Sequence, residues 1–254
     1  MKIIAFTKQK PELNHPLEDS YKYSKKNSEI VVAVADGITR DLVNNKYPNP
    51  SPAKNAADIC CKIFIKTKSL EMCNKEIGKL NKKYNHNQDY LQNDFWACVG
   101  VGGVIKDYKL SYEFITDCGV AVFNKKGELK FRTSNECPNS KGSIDEDIKK
   151  RGHTSFKTPE GRKLIRSFYR NNPKNPLSYG ALTGEKNAEH YIRKGESKLN
   201  RGDYVLFYSD GFLSIIYSED FNISKQFNNL ESYFDRNVGK IDGGEGTLVA
   251  VKLN

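Results

Sequence analysis

The chain has 254 residues, a formal net charge of +10, 37% hydrophobic residues and 11% aromatic residues. This length suffices to bury a sizeable core, and the composition excludes an intrinsically disordered chain. The sequence has no apolar run near the roughly 20 residues of a membrane helix, and its start, MKIIAFTKQK, has no signal-peptide pattern. The six cysteines show no C-x-x-C spacing, so we expect reduced thiols and a cytoplasmic protein.

The positive charge is spread over short segments that contain no dense basic run and no nucleic-acid-binding motif. We therefore expect a solvated basic surface and an acidic or phosphorylated substrate. A basic nucleic-acid module is the weakest of three functional hypotheses. None of the histidines stands at metal-ligand spacing, so we expect them to be incidental: His15, His86, His153 and His190.

The first third of the chain is predicted to contain two strands and two helices. Residues 2–8 alternate enough to form a strand, and residues 28–36 are an almost continuous apolar run, typical of a buried strand. After the breaker YPNPSP, Ser51 can cap a helix over 52–68, and a second helix is predicted at about 70–83. The intervening polar stretch, 9–27, is predicted to be mainly loop.

Strands then occur in runs, which favours antiparallel sheets covered by helices. KDYK and NKKGE are predicted hairpin turns, and the polar stretch after them is predicted to begin a lid segment over 134–180. The remaining predicted elements are strands at 96–105, 110–124 and 128–133, a helix from Thr158 to about 170, a strand in DYVLFYSDG, a helix near 218–235 and a strand in GTLVAVKL.

Two apolar segments far apart in the chain, VVAVADG and VLFYSDG, both end in Asp-Gly. Asp-Gly is typical of a hairpin turn, and after Asp210-Gly211 the sequence FLSII fits a returning strand. The residues after Asp36-Gly37 fit one poorly. A carboxylate at the end of a buried strand is costly unless it is paired or bound to a cation, so a metal site is the alternative.

Other acidic residues also stand beside predicted strands. Asp117 lies within FITDCGVAVF, Glu18-Asp19 precedes the second strand, and Asp242 and Glu245 precede the last one. Carboxylate oxygens are the ligands that Mg²⁺ and Mn²⁺ prefer. If these groups converge, they form a site for hard divalent cations; spacing alone leaves open whether they do.

The ordered segments EDS, VVAVADG, ITDCGVAVF, YGALTGE, LNRGDYVLFYSDGF and GTLVAVKL resemble the metal-dependent protein phosphatases of type 2C. The resemblance covers nearly the whole chain, and its most specific part is residues 180–212. It implies an α+β fold, a four-layer α-β-β-α sandwich of two antiparallel sheets flanked by helical pairs. We expect one domain over 1–254, with no appended domain.

The resemblance also implies roles for individual residues. Asp36 would bridge two metal ions, Mn²⁺ or Mg²⁺, with the carbonyl oxygen of Gly37 on one of them and Asp210 on the other. Glu18 and Asp19 would hold metal-bound waters. A water between the two metals would attack phosphorus directly.

The chain departs from the family pattern at two of its metal-binding positions. Asp117 matches the aspartate of the GDSR segment, here TDCG, and would help to hold a third metal. The last metal aspartate of the family is Gly244 in this chain. Glu245, one position along and one methylene longer, is predicted to replace it, with Asp242 as the fallback.

The family's phosphate-binding arginine is also replaced, by Asn14. Arg40 is predicted to supply a guanidinium instead, the alternative being a surface arginine. The leading hypothesis is a metal-dependent phosphomonoester hydrolase, a serine/threonine phosphatase of phosphoproteins in signalling, monomeric and without nucleic-acid or membrane partners. The alternative is a pseudo-phosphatase that binds a phosphoprotein or regulates a partner without turnover.

Overall fold

The computed structural model describes residues 1–13, 15–38, 51–84, 94–138, 143–153 and 158–254. Three residues singled out from the sequence, Asn14, Arg40 and His86, lie outside these ranges. Within them, none of the helices combines the length and apolar character that crossing a bilayer requires.

Two antiparallel five-stranded sheets form the centre of the molecule. The first sheet, in spatial order, comprises β1 (Lys2–Gln9), β10 (Glu245–Lys252), β9 (Tyr204–Tyr208), β6 (Gly119–Phe123) and β7 (Leu129–Arg132). The second comprises β2 (Ser20–Lys26), β3 (Glu29–Gly37), β4 (Cys98–Lys106), β5 (Lys109–Ile115) and β8 (Arg193–Lys198).

Each sheet is covered by helices on its outer face. On the second sheet lie α1 (Pro52–Thr67) and α2 (Leu70–Tyr84), whose buried residues pack with those of the sheet in one apolar cluster. On the first sheet lie the short helices α5 (Leu213–Ile216), α6 (Ile223–Gln226) and α7 (Leu230–Arg236). The predicted four-layer α+β sandwich is therefore confirmed.

The segment over 134–180 carries a small apolar cluster of its own. It contains α3 (Ser143–Lys150), α4 (Pro159–Leu164) and one π-helical turn over Ile165–Tyr169. Ile144 and Ile148 of α3 pack with Tyr169 and bury this cluster. The role of the segment as a lid stays a prediction.

The predicted strand 110–124 was wrong, because the chain turns at Thr116 and Asp117 and passes from the second sheet to the first. Thr116 adopts a left-handed backbone with φ of 66°, and its hydroxyl donates to the carbonyl oxygen of Gly180 at 2.6 Å. This tertiary contact stabilises a turn within a segment whose composition favours a continuous strand.

Several other elements differ from the sequence predictions. The polar stretches contain β2, β8 and α3, which depend on strand pairing and tertiary packing more than on local pattern. The Asp210-Gly211 pair begins a 3₁₀ turn over Asp210–Phe212 and not a hairpin. The predicted helix near 218–235 is divided into α6 and α7, joined by a 3₁₀ turn at Phe227–Asn229.

Gly103 of β4 lies where the two sheets approach closely, as strand glycines often do. A Cβ at this position would lie 2.6 Å from Cε1 of Phe207, which belongs to β9 in the opposite sheet. We expect Gly103→Ala to lower the free energy of unfolding by about 1–3 kcal/mol, the usual cost of overpacking. Urea unfolding measures this change.

Gly239→Ala is the matched control, because a Cβ at Gly239 would meet no atom within 4 Å. Its urea midpoint should stay near that of the unsubstituted protein. Equal midpoints for the two variants would show that the sheets tolerate the added methyl group at Gly103.

Candidate active site

The folded chain brings the strand-end carboxylates together at one edge of the sandwich. Asp36 is the penultimate residue of β3, and Asp210 lies just after β9. Asp117 lies in the turn between β5 and β6, and Asp19 immediately precedes β2. The Asp36 carboxyl lies within hydrogen-bonding reach of those of Asp19 and Asp210. Asp19, Asp36 and Glu245 each place an oxygen within 4.8 Å of the others. We call the set of Asp19, Asp36, Asp117, Asp210 and Glu245 the acidic cluster.

Glu245 is held in the cluster by the backbone before β2. The amide of Glu18 donates to both carboxylate oxygens of Glu245, at 3.0 and 3.2 Å. Gly244, at the position of the family's last aspartate, has a φ of +116°, and a Cβ there would lie 2.2 Å from Cδ1 of Leu13. An aspartate would be strained in this backbone, and the carboxylate of the next residue, Glu245, lies within the acidic cluster.

Asp242, the fallback for this position, is engaged elsewhere. Its Oδ2 accepts hydrogen bonds from the backbone amide of Ser214 at 3.0 Å and from the Ser214 hydroxyl at 2.6 Å. These are the contacts of a side chain that holds the start of a helix, here α5.

Asp19 is fixed from the first sheet. The hydroxyl of Ser209 donates to its Oδ2 at 2.6 Å and accepts from the amide of Thr247 at 2.8 Å. Lys54 of α1 donates to the Asp19 carbonyl oxygen at 2.6 Å and pairs with Asp58 at 3.2 Å. The Asp19 side chain therefore has a defined orientation, in which Oδ2 accepts a hydrogen bond and Oδ1 has no hydrogen-bond partner within the described ranges of the chain.

The charges of the cluster repel one another in a poorly solvated place. Burial, followed by the charges of Asp19, Asp210, Asp117 and Glu245, raises the pKa of Asp36 well above its usual range. Burial is also the main cause that raises the pKa of Asp117 to about 6, and those of Asp210 and Glu245 to about 8. Such a group of acids is stable at neutral pH either partly protonated or neutralised by cations.

The donor set fits hard divalent cations. Oδ1 of Asp19 and Oδ1 of Asp117 are buried and have no hydrogen-bond partner in the part of the chain that the structure describes. Buried carboxylate oxygens are costly without a partner, and a cation would supply one. All the side chains of the acidic cluster offer oxygen, as Mg²⁺ and Mn²⁺ require.

Three further residues, not predicted from the sequence, lie beside Glu18, Glu245 or Asp117. His15, expected to be incidental, places a ring nitrogen within 4.8 Å of oxygens of Glu18 and Glu245. Ser51 does not cap α1 with its side chain, and its hydroxyl donates instead to the buried carboxylate of Glu18. Arg132 lines a cavity of about 390 Å³ that also borders Asp117. Local sequence around these residues carries no signal of the contacts, which join distant segments.

Comparison with solved structures gives matches along the whole chain. The serine/threonine phosphatase PstP/Ppp of Mycobacterium tuberculosis superposes with a TM-score of 0.63 at 14% identity, over 100% of this chain and 98% of that one. The S. agalactiae serine/threonine phosphatase gives 0.58 at 13%, over 100% and 99%. RsbX in complex with magnesium gives 0.56 at 12%, over 99% and 94%.

The chain has the fold of type 2C serine/threonine phosphatases. The resemblance stated from the sequence motifs is thereby confirmed for the fold. A further match, the PstP catalytic domain, is a complex with two manganese ions. No protein-family model matches the sequence, and no curated protein matches it.

The raised pKa values predict how pH affects the metal-free protein. Because the folded carboxyls of Asp117, Asp210 and Glu245 hold protons that the unfolded chain releases near pH 4, the folded state binds more protons between about pH 4 and 8. The free energy of unfolding in chelator should therefore fall as pH rises from 5 to 8. We expect a fall of at least about 1 kcal/mol, equivalent to roughly one pKa unit at one carboxyl.

Urea unfolding at pH 5, 6, 7 and 8, with EDTA or with Mn²⁺, measures this dependence. Mn²⁺ should abolish the fall, because it binds the ionised carboxylates. Asp36→Asn removes one of the repelling charges, so it should raise metal-free stability at pH 8 and reduce the gain from Mn²⁺. Stability that rises with pH in EDTA would contradict the repulsion inferred here.

Proposed function

We propose that this protein is a metal-dependent phosphomonoester hydrolase that acts on phosphoserine or phosphothreonine in proteins. The observation that carries the proposal is the acidic cluster, in which distant carboxylates converge and two buried oxygens lack partners among the described residues. The type 2C fold supports it, since the matching structures include serine/threonine phosphatases.

Asp36 is the central residue of the proposed centre, because its carboxyl contacts those on both sides of it. With Gly37, Asp210 and Glu245 it would hold two Mn²⁺ or Mg²⁺ ions, and Asp117 would hold a third. Bound divalent ions would neutralise phosphoryl charge and lower the pKa of a hydrolytic water.

The surrounding residues of the chain orient these ligands. Ser209 holds one oxygen of Asp19, and the Glu18 amide holds Glu245, so both carboxylates are positioned before any ion binds. Such outer partners contribute strongly to metal affinity. Glu18 and Asp19 would contact waters of the centre, and Arg40 would bind the phosphate of the substrate.

The pseudo-phosphatase is the second candidate, and Gly244 is the observation that favours it. Glycine, which stands where the family has its last metal-binding aspartate, has no side chain and supplies no carboxylate. A protein that binds phosphoproteins without turnover would keep the fold and the cavities while losing hydrolysis.

Hydrolysis assays separate the two candidates. We expect Mn²⁺-dependent hydrolysis of para-nitrophenyl phosphate and of a phosphothreonine peptide, and loss of this activity in EDTA. Asp36→Asn should reduce kcat/KM by more than the roughly 10–100-fold typical of an outer-shell substitution. The exposed Asp235, paired with Lys8, gives the control Asp235→Asn, which should retain activity.

Activity that persists in EDTA and in Asp36→Asn would exclude the proposed hydrolase. Binding of Mn²⁺ and phosphopeptide with no hydrolysis of either substrate would establish the pseudo-phosphatase instead.

Titration calorimetry tests whether Glu245 replaces the missing aspartate. Glu245→Gln should weaken Mn²⁺ binding by tenfold or more, because the substitution removes one of the charged carboxylates of the acidic cluster. Asp242→Asn should keep the affinity within a few-fold, because that carboxylate bonds to Ser214. The opposite order of the two variants would assign the position to Asp242.

A further inference from the structure

A cavity of about 320 Å³ borders the acidic cluster. Asp36, Gly37 and Asp117 form part of its wall. Much of the remaining wall consists of apolar or aromatic side chains, namely Ile38, Val99, Ile144, Ile165 and Tyr179. A single cavity thus joins an anionic, cation-binding region to an apolar one, and its volume is within the range of small-molecule sites.

Two separate parts of the molecule build the apolar wall. Ile38 directly follows β3 and Val99 belongs to β4, so both are fixed by the second sheet. Ile144 of α3 and Ile165 of the π-helical turn come from the segment over 134–180. The shape of the cavity therefore depends on how this segment is held against the sheets.

A buried ion cluster holds the segment in place. Arg170 donates to Asp94 through two nitrogens, at 2.8 and 3.1 Å, and Nε of Arg166 lies 3.1 Å from the same carboxylate. All three side chains are at least nine-tenths buried. Separating such a buried, fork-shaped pair is costly, so the wall that carries Ile165 is formed before a ligand binds.

Tyr179 is fixed through its backbone to the two residues that flank Arg170 of the ion cluster. Its amide donates to the carbonyl oxygen of Tyr169 at 3.2 Å, and its carbonyl oxygen accepts from the amide of Asn171 at 2.8 Å. Burial raises the pKa of the Tyr179 hydroxyl to about 12, so this part of the wall is uncharged at neutral pH.

We propose that this cavity receives an apolar side chain of the phosphoprotein substrate, from a residue within two positions of the phosphorylated one. The inference rests on the proposed function, which places the phosphate at the acidic cluster and its cations. An extended peptide advances by about 3.3–3.6 Å per residue, so a neighbouring side chain reaches the adjoining wall. Leu, Ile, Met or Phe would gain from burial there, whereas a charged side chain would lose its hydration.

The substrate class is therefore phosphoserine or phosphothreonine flanked by an apolar residue. The test uses phosphothreonine peptides that carry Leu, Ala or Lys at each of the two positions before and after the phosphothreonine. At the preferred position, Leu should exceed Ala by about tenfold in kcat/KM, the usual discrimination of an apolar pocket. Lys at that position should be poorer than Ala.

Ile165→Trp fills the cavity and should abolish the preference for Leu, measured as the ratio of kcat/KM for the Leu and Ala peptides. Ile165→Ala, which enlarges the cavity without adding bulk, should shift the preference from Leu towards Phe. Leu129→Trp places the same bulk on the exposed β7 and should leave the Leu-to-Ala ratio unchanged. Circular dichroism and urea unfolding verify that each variant is folded.

Equal rates on the Leu and Ala peptides at every position would overturn the inference and leave the proposed hydrolase intact. So would a Leu preference that Ile165→Trp does not change. If no peptide is hydrolysed, the proposed function fails. Fluorescence anisotropy of the same peptides then still tests whether the cavity binds an apolar side chain. Tighter binding of Leu peptides that Ile165→Trp abolishes supports it, and equal binding overturns it.

Discussion

The mutual repulsion of carboxylates in one poorly solvated place is the constraint on which the site depends. At Asp36, burial and the charges of four other acids together raise the pKa of the carboxyl. Folding gathers these charges against their electrostatic preference, and the sandwich must supply the free energy to do so. A protein gains from such an arrangement when the gathered oxygens bind cations, which reverse the sign of the interaction.

The architecture explains how distant residues reach this place. Strands of both sheets begin or end at the same edge, and the five carboxylates of the acidic cluster lie at or beside these strand ends. Close approach of backbones makes the glycines after Asp36 and Asp210 necessary. A Cβ at Gly37 would lie 2.7 Å from the backbone carbonyl group of Ala53, and one at Gly211 would lie 1.7 Å from the backbone carbonyl oxygen of Glu245. The glycines of the Asp-Gly pairs are thus points of close packing, against α1 and against β10, beside the two carboxylates.

Sequence reasoning succeeded where the pattern is local and strong. The apolar run of β3, the helix that begins at Pro52 and the hairpin turns were predictable from periodicity and turn residues. The ordered motifs were sufficient to predict the sandwich. The turn at Thr116 was not, because its left-handed backbone is stabilised by the Gly180 carbonyl, 64 positions away.

The same distinction holds for the acidic residues. Sequence spacing identified all the carboxylates of the cluster but could not show that they converge, nor choose between Glu245 and Asp242. The preference for Glu245 is supported by the backbone at Gly244, which would strain an aspartate, and by the hydrogen bonds that Glu245 and Asp242 make with Glu18 and Ser214. The position of His15 near Glu18 and Glu245 likewise depends on the folding together of distant segments, which local sequence does not show.

The most direct measurement is anomalous X-ray scattering from crystals soaked in Mn²⁺. The account predicts anomalous peaks within about 2.0–2.6 Å of carboxylate oxygens of Asp36, with Glu245 and Asp210 on either side. A fully soaked crystal without such peaks, or with Asp36 and Asp210 far apart, would contradict it.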